Sequence, residues 1–452
     1  MITVRAAAAQ VLLAIETGET TLGTEVERWR SEVPERDRAL FLELATGTLR
    51  WRNELDAVIA AASQRAAREI DPPALAVLRL AVYQLRHLDR IPEHAIVHES
   101  VDTIRQLGQP KLSGFVNAVL RTMIRRGPAI SLPKRPPSTS GIDAQVRYLS
   151  ITLSHPAWLV HRWIARVGFD AAEAWCQFNN SSPTVTVRSA GRLDAQTLLA
   201  RLADVSIEAT AAPFVPDAIR LPPGSLGRVP ADLRDELVVQ DEGAQLVARL
   251  ADARPGERVL DACASPGGKS LVIASDLKRG DSPTRLVAAD FRQTRVETLA
   301  RTLRPLAPDV SIVRLDARVA LPFSAAFDCV LLDAPCSGLG TVRRDPDLKW
   351  TRRAADLPRF AADQLAMLRA CAAVVRPGGR VIYATCSSEP EENTAVVDAF
   401  LADASEFTLM PPDPASPVPA VLRNPAGALE TRPYEQGLDA YFGSVLARRR
   451  TA

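Results

Sequence analysis

Histidine is scarce in this chain, and its five residues fall between His87 and His161, upstream of the cysteines. The six cysteines, at 176, 263, 329, 336, 371 and 386, lack the tight paired spacing that builds a zinc site, so no metal centre is expected. Free thiols in a reducing compartment are the default. No stretch approaches the roughly 18 apolar residues of a membrane span, and the opening Met-Ile-Thr-Val-Arg has no apolar signal core. A cytoplasmic location without membrane association is therefore expected. Excess charge of either sign is missing too: 55 basic against 53 acidic residues leave +2, which neither demands nor excludes nucleic acid. What remains is the balance of a globular enzyme, 47% hydrophobic and 24% charged over 452 residues. That length exceeds one ordinary core and predicts two or three domains, with a monomer as the default state.

From Thr3 to about Arg126 the pattern is one of consecutive amphipathic helices, with Ala-rich apolar positions at helical spacing and no alternating strand pattern. In Ala74 to Leu88, the residues Leu75, Leu78, Leu80, Val82 and Leu85 supply an apolar face. Gly127 to Gly141 holds four prolines and reads as an exposed linker. Ser154-His155-Pro156 then starts a helix over Ala157 to Val167, and short strands are expected at Thr184 to Val187 and Ala218 to Leu221. After Val239 strands alternate with helices, the pattern of a doubly wound sheet. Strands are expected at Val259–Ala262, Leu286–Ala289, Val310–Leu315, Phe327–Leu332 and Val381–Ala384, with a helix from about Asp356 to Val375 stopped by Pro377-Gly378-Gly379. The expected fold is thus multidomain: all-α over 1–130, a Pro-rich linker at 131–153, a small α+β subdomain at 154–239, and an α/β doubly wound, Rossmann-like domain at 240–452.

Such sheets bind ligands beyond the carboxyl ends of their strands, where the chemistry-bearing residues fall. Asp261-Ala-Cys-Ala-Ser-Pro-Gly-Gly-Lys-Ser270 is a strand end turning into a helix, where Gly267 and Gly268 admit a ligand close to the backbone. Gly268-Lys269-Ser270 also matches the end of an ATP-binding P-loop, and Cys329-Val-Leu-Leu-Asp333 resembles a magnesium-binding strand. The P-loop pattern, however, needs a glycine where Cys263 stands, and Pro266 removes an amide from the phosphate cradle. No G-x-G-x-x-G follows the strand. Asp290 is placed like an acid that accepts from ribose hydroxyls, and Asp316 like an acceptor for an adenine amino group. Singly, each would more often be a helix cap or a solvated loop acid. Together with the glycine turn they describe a nucleoside site that suits S-adenosylmethionine.

Cysteine is among the most buried residue types, and Cys176, Cys329 and Cys371 read as inert core thiols. Cys336 in Asp333-Ala-Pro-Cys-Ser-Gly338 and Cys386 in Tyr383-Ala-Thr-Cys-Ser-Ser388 differ. Each follows a strand among small polar residues, where a thiolate is stabilised. Spacing alone does not say which of the two attacks. Three stretches, Cys263-Ala-Ser-Pro-Gly-Gly-Lys269, Leu332-Asp-Ala-Pro-Cys-Ser-Gly338 and Ala384-Thr-Cys-Ser387, resemble the NOL1/NOP2/Sun RNA cytosine-C5 methyltransferases in order and spacing. The resemblance implies S-adenosylmethionine held by Cys263, Ala264, Ser265, Pro266, Gly267, Gly268, Lys269, Asp290, Arg295, Asp316 and Asp333. It further implies Cys386 as the nucleophile, Cys336 as the residue that aids release, and Asp333 as a catalytic contact to the cytosine. Two thiols suit that chemistry, because C5 becomes nucleophilic only when a thiolate adds to C6, and the C5 proton must leave afterwards.

Val82-Tyr-Gln-Leu85, Ala95-Ile-Val-His-Glu-Ser-Val101 and Phe115-Val-Asn-Ala-Val-Leu-Arg121 resemble a NusB-type RNA-binding domain. This fusion resembles the bacterial Sun/Fmu type, which implies 16S ribosomal RNA as the partner. His155-Pro-Ala-Trp-Leu159, Gln240-Asp241-Glu242 and Arg432-Pro433 with Gly437-Leu-Asp439 extend the similarity. Two positions depart from the family pattern: Gln436 stands where a histidine is usual, and Ala190 where Arg-x-Asn would end. Arg343, Arg344, Lys349, Arg352 and Arg353 follow Cys336 closely and are candidates for phosphate contacts, although a charge run is usually a solvated face. Two rival readings stand beside the methyltransferase: a P-loop nucleotidase, and a NusB-like RNA binder with a dead catalytic domain. Magnesium-dependent ATP hydrolysis would favour the first; RNA binding without cofactor binding would favour the second.

Overall fold

The computed structural model describes residues 2–127, 130–191, 193–279, 283–410 and 416–450. The chain divides into two compact units, one of residues 1–181 with 342–354, the other of 182–341 with 355–452.

The first unit is helical. Its central helix, Pro72–His87, starts on prolines that need no amide partner there and buries Ala74, Ala76, Val77, Leu78, Leu80, Ala81 and Val82. Burial on so many sides puts it inside the bundle rather than on its surface. Leu75 and Leu85 pack at the margin of the same core. Gly47 lets a neighbouring helix, Arg38–Arg50, approach the Tyr83 ring, since a Cβ there would fall 2.1 Å from it. Helix Ala157–Val167 lies where the Ser154-His155-Pro156 signal puts it, and its Trp163 stacks on Trp175 with centroids 4.2 Å apart. Ile142–Ile151, within the stretch expected as a Pro-rich linker at 131–153, is instead a helix that buries Tyr148 and Leu149 in this unit.

The segment 342–354 belongs to this helical unit. Leu22 donates its amide to Asp347 (3.0 Å), Arg50 donates to the Arg343 carbonyl (3.1 Å), and the Trp350 indole donates to the Leu49 carbonyl (2.6 Å). Lys349 is 1% exposed and donates to the Arg50 carbonyl at 2.9 Å. Burial drives its ammonium far below the usual lysine range. Lys349 and the buried Arg343, which lies over the Phe178 ring, therefore do not form the phosphate grip suggested by the charge run.

The second unit contains two sheets. A small antiparallel one runs in the order 210–211, 218–221, 185–189, 237–239 and packs its Val187, Ile219 and Leu221 against Leu198 and Leu202 of helix Ala195–Asp204. The large sheet runs 407–409, 442–448, 375–385, 327–333, 258–261, 285–290, 311–314, with 429–430 paired to 442–448. Strands 258–261, 285–290, 311–314, 327–333 and 375–385 are parallel, and 442–448 and 407–409 close one edge antiparallel. Strand periodicity divides the core: Val259, Cys329, Leu331 and Ile382 face one helical layer, Leu260, Val330, Leu332 and Val381 the other.

Another local expectation is corrected. The helix is Leu357–Ala373, and Pro377-Gly378-Gly379 lies inside the strand Val375–Thr385. Gly378 adopts φ +81°, and the register slips so that Phe327 pairs with Val375 but Cys329 with Arg380. The breakers are absorbed by a bulge instead of ending the element. Among the described residues no helix is long and apolar enough to cross a membrane.

Candidate active site

Five parallel strands end at one edge of the large sheet, and their last residues or the loops after them carry the candidate side chains. Strand Arg258–Asp261 turns through Ala262–Gly267 into helix Gly268–Leu277. Gly267 has φ +113°, in the left-handed region that a side chain disfavours. The loop is held by Ala264, whose amide donates to the Ala289 carbonyl at 2.8 Å. Behind Gly268 lies Gln240, 3.2 Å from where a Cβ would stand. Arg188 donates to Gln240 (2.9 Å) and to the Gly268 carbonyl (3.4 Å), which ties the small sheet to the glycine turn. Burial brings Arg188 down to about 10. At the two departures from the family pattern, the Ala190 amide donates to the Glu236 carbonyl (2.8 Å), and Gln436 accepts from the Arg432 amide (2.5 Å).

Three buried or half-buried acids crowd this turn. Asp261 is fully buried and accepts from Ser270 Oγ at 2.7 Å, while its other oxygen has no partner. Burial pushes its carboxyl up to about 7, against the pull of Ser270 and Lys269. Asp290, 5% exposed, has one oxygen without a hydrogen bond; the nearest cation is Arg295, 3.7 Å away. Asp333 pairs with Lys269 at 2.5 Å. Burial opposes the charge on Lys269, but Asp333, then Asp261 and Cys386, outweigh it and hold the ammonium above its usual value. Asp316 is different: Arg318 binds it through two guanidinium nitrogens at 2.9 and 2.8 Å, and that hydrogen bonding lowers its carboxyl.

Cys336 and Cys386 follow the adjacent parallel strands Phe327–Asp333 and Val375–Thr385, in which Asp333 lies opposite Ala384. Their sulfurs are 3.3 Å apart, and both residues are partly exposed. The Cys336 thiol is pushed well above the usual cysteine range, first by its hydrogen bond to Cys386, then by burial and the charges of Cys386 and Glu392. Cys263 is also partly exposed, and burial raises its thiol. Cys176, Cys329 and Cys371 are buried.

Two residues escaped the sequence reading. Gly340 threads between the Cys386 and Ala440 backbones: its amide donates to the Cys386 carbonyl (3.0 Å), and its own carbonyl accepts from the Ala440 amide (2.9 Å). Glu392, wholly buried, accepts from Ser337 and Ser387, the residues after the two cysteines. A second glycine in a loop and an acidic run carry no sign of burial, since acids are almost never buried unless paired. The two oxygens without a hydrogen bond, on Asp261 and Asp290, beside the glycine turn fit a ligand that brings hydroxyl and amine donors, as S-adenosylmethionine does.

This sheet and site define an S-adenosylmethionine-dependent methyltransferase. The family model described as 16S rRNA methyltransferase RsmB/F matches residues 248–447, that of the NusB family residues 2–125, and an RsmF/B-like ferredoxin-like domain residues 155–224. Ribosomal RNA small subunit methyltransferase B of Pseudomonas putida is 36% identical over 88% of either chain, and that of Vibrio vulnificus 31% identical over 99% of either. The chain belongs to this RsmB family. In fold it is similar to the solved structure of PH0851, with TM-score 0.78 at 22% identity over 99% of both chains.

Proposed function

We propose that the chain methylates C5 of a cytosine in 16S ribosomal RNA, with Cys386 as the covalent nucleophile and Cys336 as the residue that aids release. One observation carries the reading: two partly exposed thiols 3.3 Å apart at the ends of adjacent strands, beside the Lys269–Asp333 pair. The Cys336 thiol, raised first by its hydrogen bond to Cys386 and then by burial, is suited to keep its proton at the start of the cycle. Cys386 gives its proton to solvent and its thiolate adds to C6 while N3 takes a proton from solvent, and Asp333 accepts a hydrogen bond from that N3–H. Lys269 orients Asp333 for this contact. Bound S-adenosylmethionine supplies the electrophilic methyl group that C5 receives.

Release follows from the same pair. Once Cys386 is bonded to C6, Cys336 gives its proton to solvent and stands as the base for release. Its thiolate then takes the C5 proton as the Cys386–C6 bond breaks, and the N3 proton departs. Gly267, Asp261 and Asp290 hold the cofactor, and Asp316 joins them only if Arg318 swings away.

The test is to methylate 16S RNA with labelled cofactor in two variants. Cys386→Ala should give neither 5-methylcytosine nor a protein–RNA adduct. Cys336→Ala should accumulate an adduct that survives denaturing electrophoresis. An adduct in the Cys386 variant instead would reverse the roles, and full activity in both would end the covalent reading.

A further inference from the structure

We propose that Glu392 is a positioning residue that clamps the two cysteine loops at the spacing their chemistry needs. The inference rests on the covalent reading above and names what holds its two thiols in place. Glu392 is 0% exposed, and no Lys or Arg pairs with it among the described residues. Its charge is met by hydrogen bonds alone. One oxygen accepts from the Ser337 amide (2.8 Å) and from Gln364 Nε2 (3.0 Å); the other accepts from Ser337 Oγ and Ser387 Oγ, both at 2.5 Å. Four donors fill the acceptor capacity of a carboxylate. Ser337 follows Cys336 directly, and Ser387 follows Cys386, so a single side chain grips both loops one residue from their sulfurs.

The clamp is itself fixed. Gln364 also donates to the Pro335 carbonyl (3.1 Å), and Tyr383 Oη donates to the Glu392 carbonyl (2.5 Å). Next to Glu392, Asn393 receives Thr385 Oγ1 (2.5 Å) and donates to the Ser387 carbonyl (3.0 Å). An ionised group buried without a cation costs stability, and apolar residues of like size would pack a strand end more cheaply. Its position makes sense as registry: strands set their backbones apart by a ladder, but past Ala334 the two loops share one backbone bond, from the Gly340 amide to the Cys386 carbonyl (3.0 Å), and Glu392 adds side-chain bonds next to the sulfurs. Its charge also contributes to holding the Cys336 thiol up, behind Cys386 and burial.

The experiment uses the full chain and reads thiol spacing separately from catalysis. Dibromobimane fluoresces once each of its two arms has alkylated a thiol, losing bromide at each; no RNA or cofactor is needed, and Cys386→Ala supplies the background. Glu392→Ala should slow bridging at least about tenfold and lower kcat about 100-fold, the effect of misplacing a reacting group by an ångström. KM for RNA and the calorimetric Kd for S-adenosylmethionine should stay within about twofold, a difference too small to reflect a lost contact. Glu392→Gln, whose amide can donate to hydroxyls turned the other way, should retain most of the bridging rate. Ser387→Ala removes one bond without touching the carboxylate, and should lower both rates about tenfold even if Glu392→Ala does not fold. Bridging and kcat unchanged in Ser387→Ala and in any folded Glu392→Ala would overturn the clamp. The two readings fail separately: a Cys336→Ala chain that forms no adduct strikes at the covalent mechanism, whereas the bridging rates judge Glu392 alone.

Discussion

Asp290 and Asp316 stand at or just past the ends of neighbouring strands, yet only Asp290 has an oxygen to spare. Arg318 occupies both oxygens of Asp316, whereas Asp290 keeps one buried oxygen without a hydrogen bond, its nearest cation Arg295 at 3.7 Å. A donor from the cofactor would complete it, and a hydrogen bond to a charged group is worth about 1.5–3 kcal/mol. Asp290→Ala should weaken S-adenosylmethionine binding by that amount in calorimetry, and Asp316→Ala by less. Equal losses in the two would make the difference in pairing irrelevant. At this scale the sequence was most legible where a residue type is rare at its place, as with Cys336, Cys386 and the glycine turn. It was least legible where burial reverses the usual meaning of a residue. Lys349 reads as a phosphate contact and is instead a buried donor to a carbonyl; Glu392, which escaped the sequence reading, is a fully buried acceptor.

Elements were legible in proportion to their periodicity. The five parallel strands are apolar runs, and the sheet's two cores follow from their alternation. The antiparallel edge was not foreseen, because 407–409 and 429–430 are too short to show a period, and Phe442–Arg448 reads Phe-Gly-Ser-Val-Leu-Ala-Arg without alternation. Pro377-Gly378-Gly379 misled for a related reason: breakers mark a change of direction, and a bulge is as good an outlet as a stop. Gly340 shows how an element constrains the site without any side chain. A Cβ there would stand 2.0 Å from the Ala440 oxygen and 2.7 Å from the Cys386 oxygen, both backbone atoms that cannot swing aside. Gly340→Ala should therefore displace the Cys386 loop and cost about 1–3 kcal/mol or more in thermal or denaturant unfolding. The same variant should lose most of its methylation. A stable, active variant would show that the two loops can separate freely, contrary to this packing.

The chain is not assembled as a string of independent pieces. The NusB-family segment and the methyltransferase sheet were each readable from their motifs, but the return of 342–354 to the helical unit was not, because Arg343 to Arg353 looks like a solvated charge run. In the structure this segment begins six residues after Cys336 and is anchored by Asp347, Lys349 and Trp350 to Leu22, Arg50 and Leu49. The loop that carries Cys336 thus runs on into a segment that packs within the helical unit. Such a tether should matter for the chemical step rather than for the cofactor, whose candidate contacts at 261–269 and 290 lie elsewhere in the chain. Trp350→Ala removes the indole bond to Leu49 and its packing on the helical core, and should destabilise that unit by up to the about 3–5 kcal/mol of a buried aromatic. In the folded variant, S-adenosylmethionine affinity should stay at the wild-type value by calorimetry. The single-turnover methylation rate at saturating 16S RNA should fall, and the fall should persist when RNA concentration is raised. A rate restored in full by more RNA would mean that the tether serves binding alone and leaves the Cys336 loop indifferent to the helical unit.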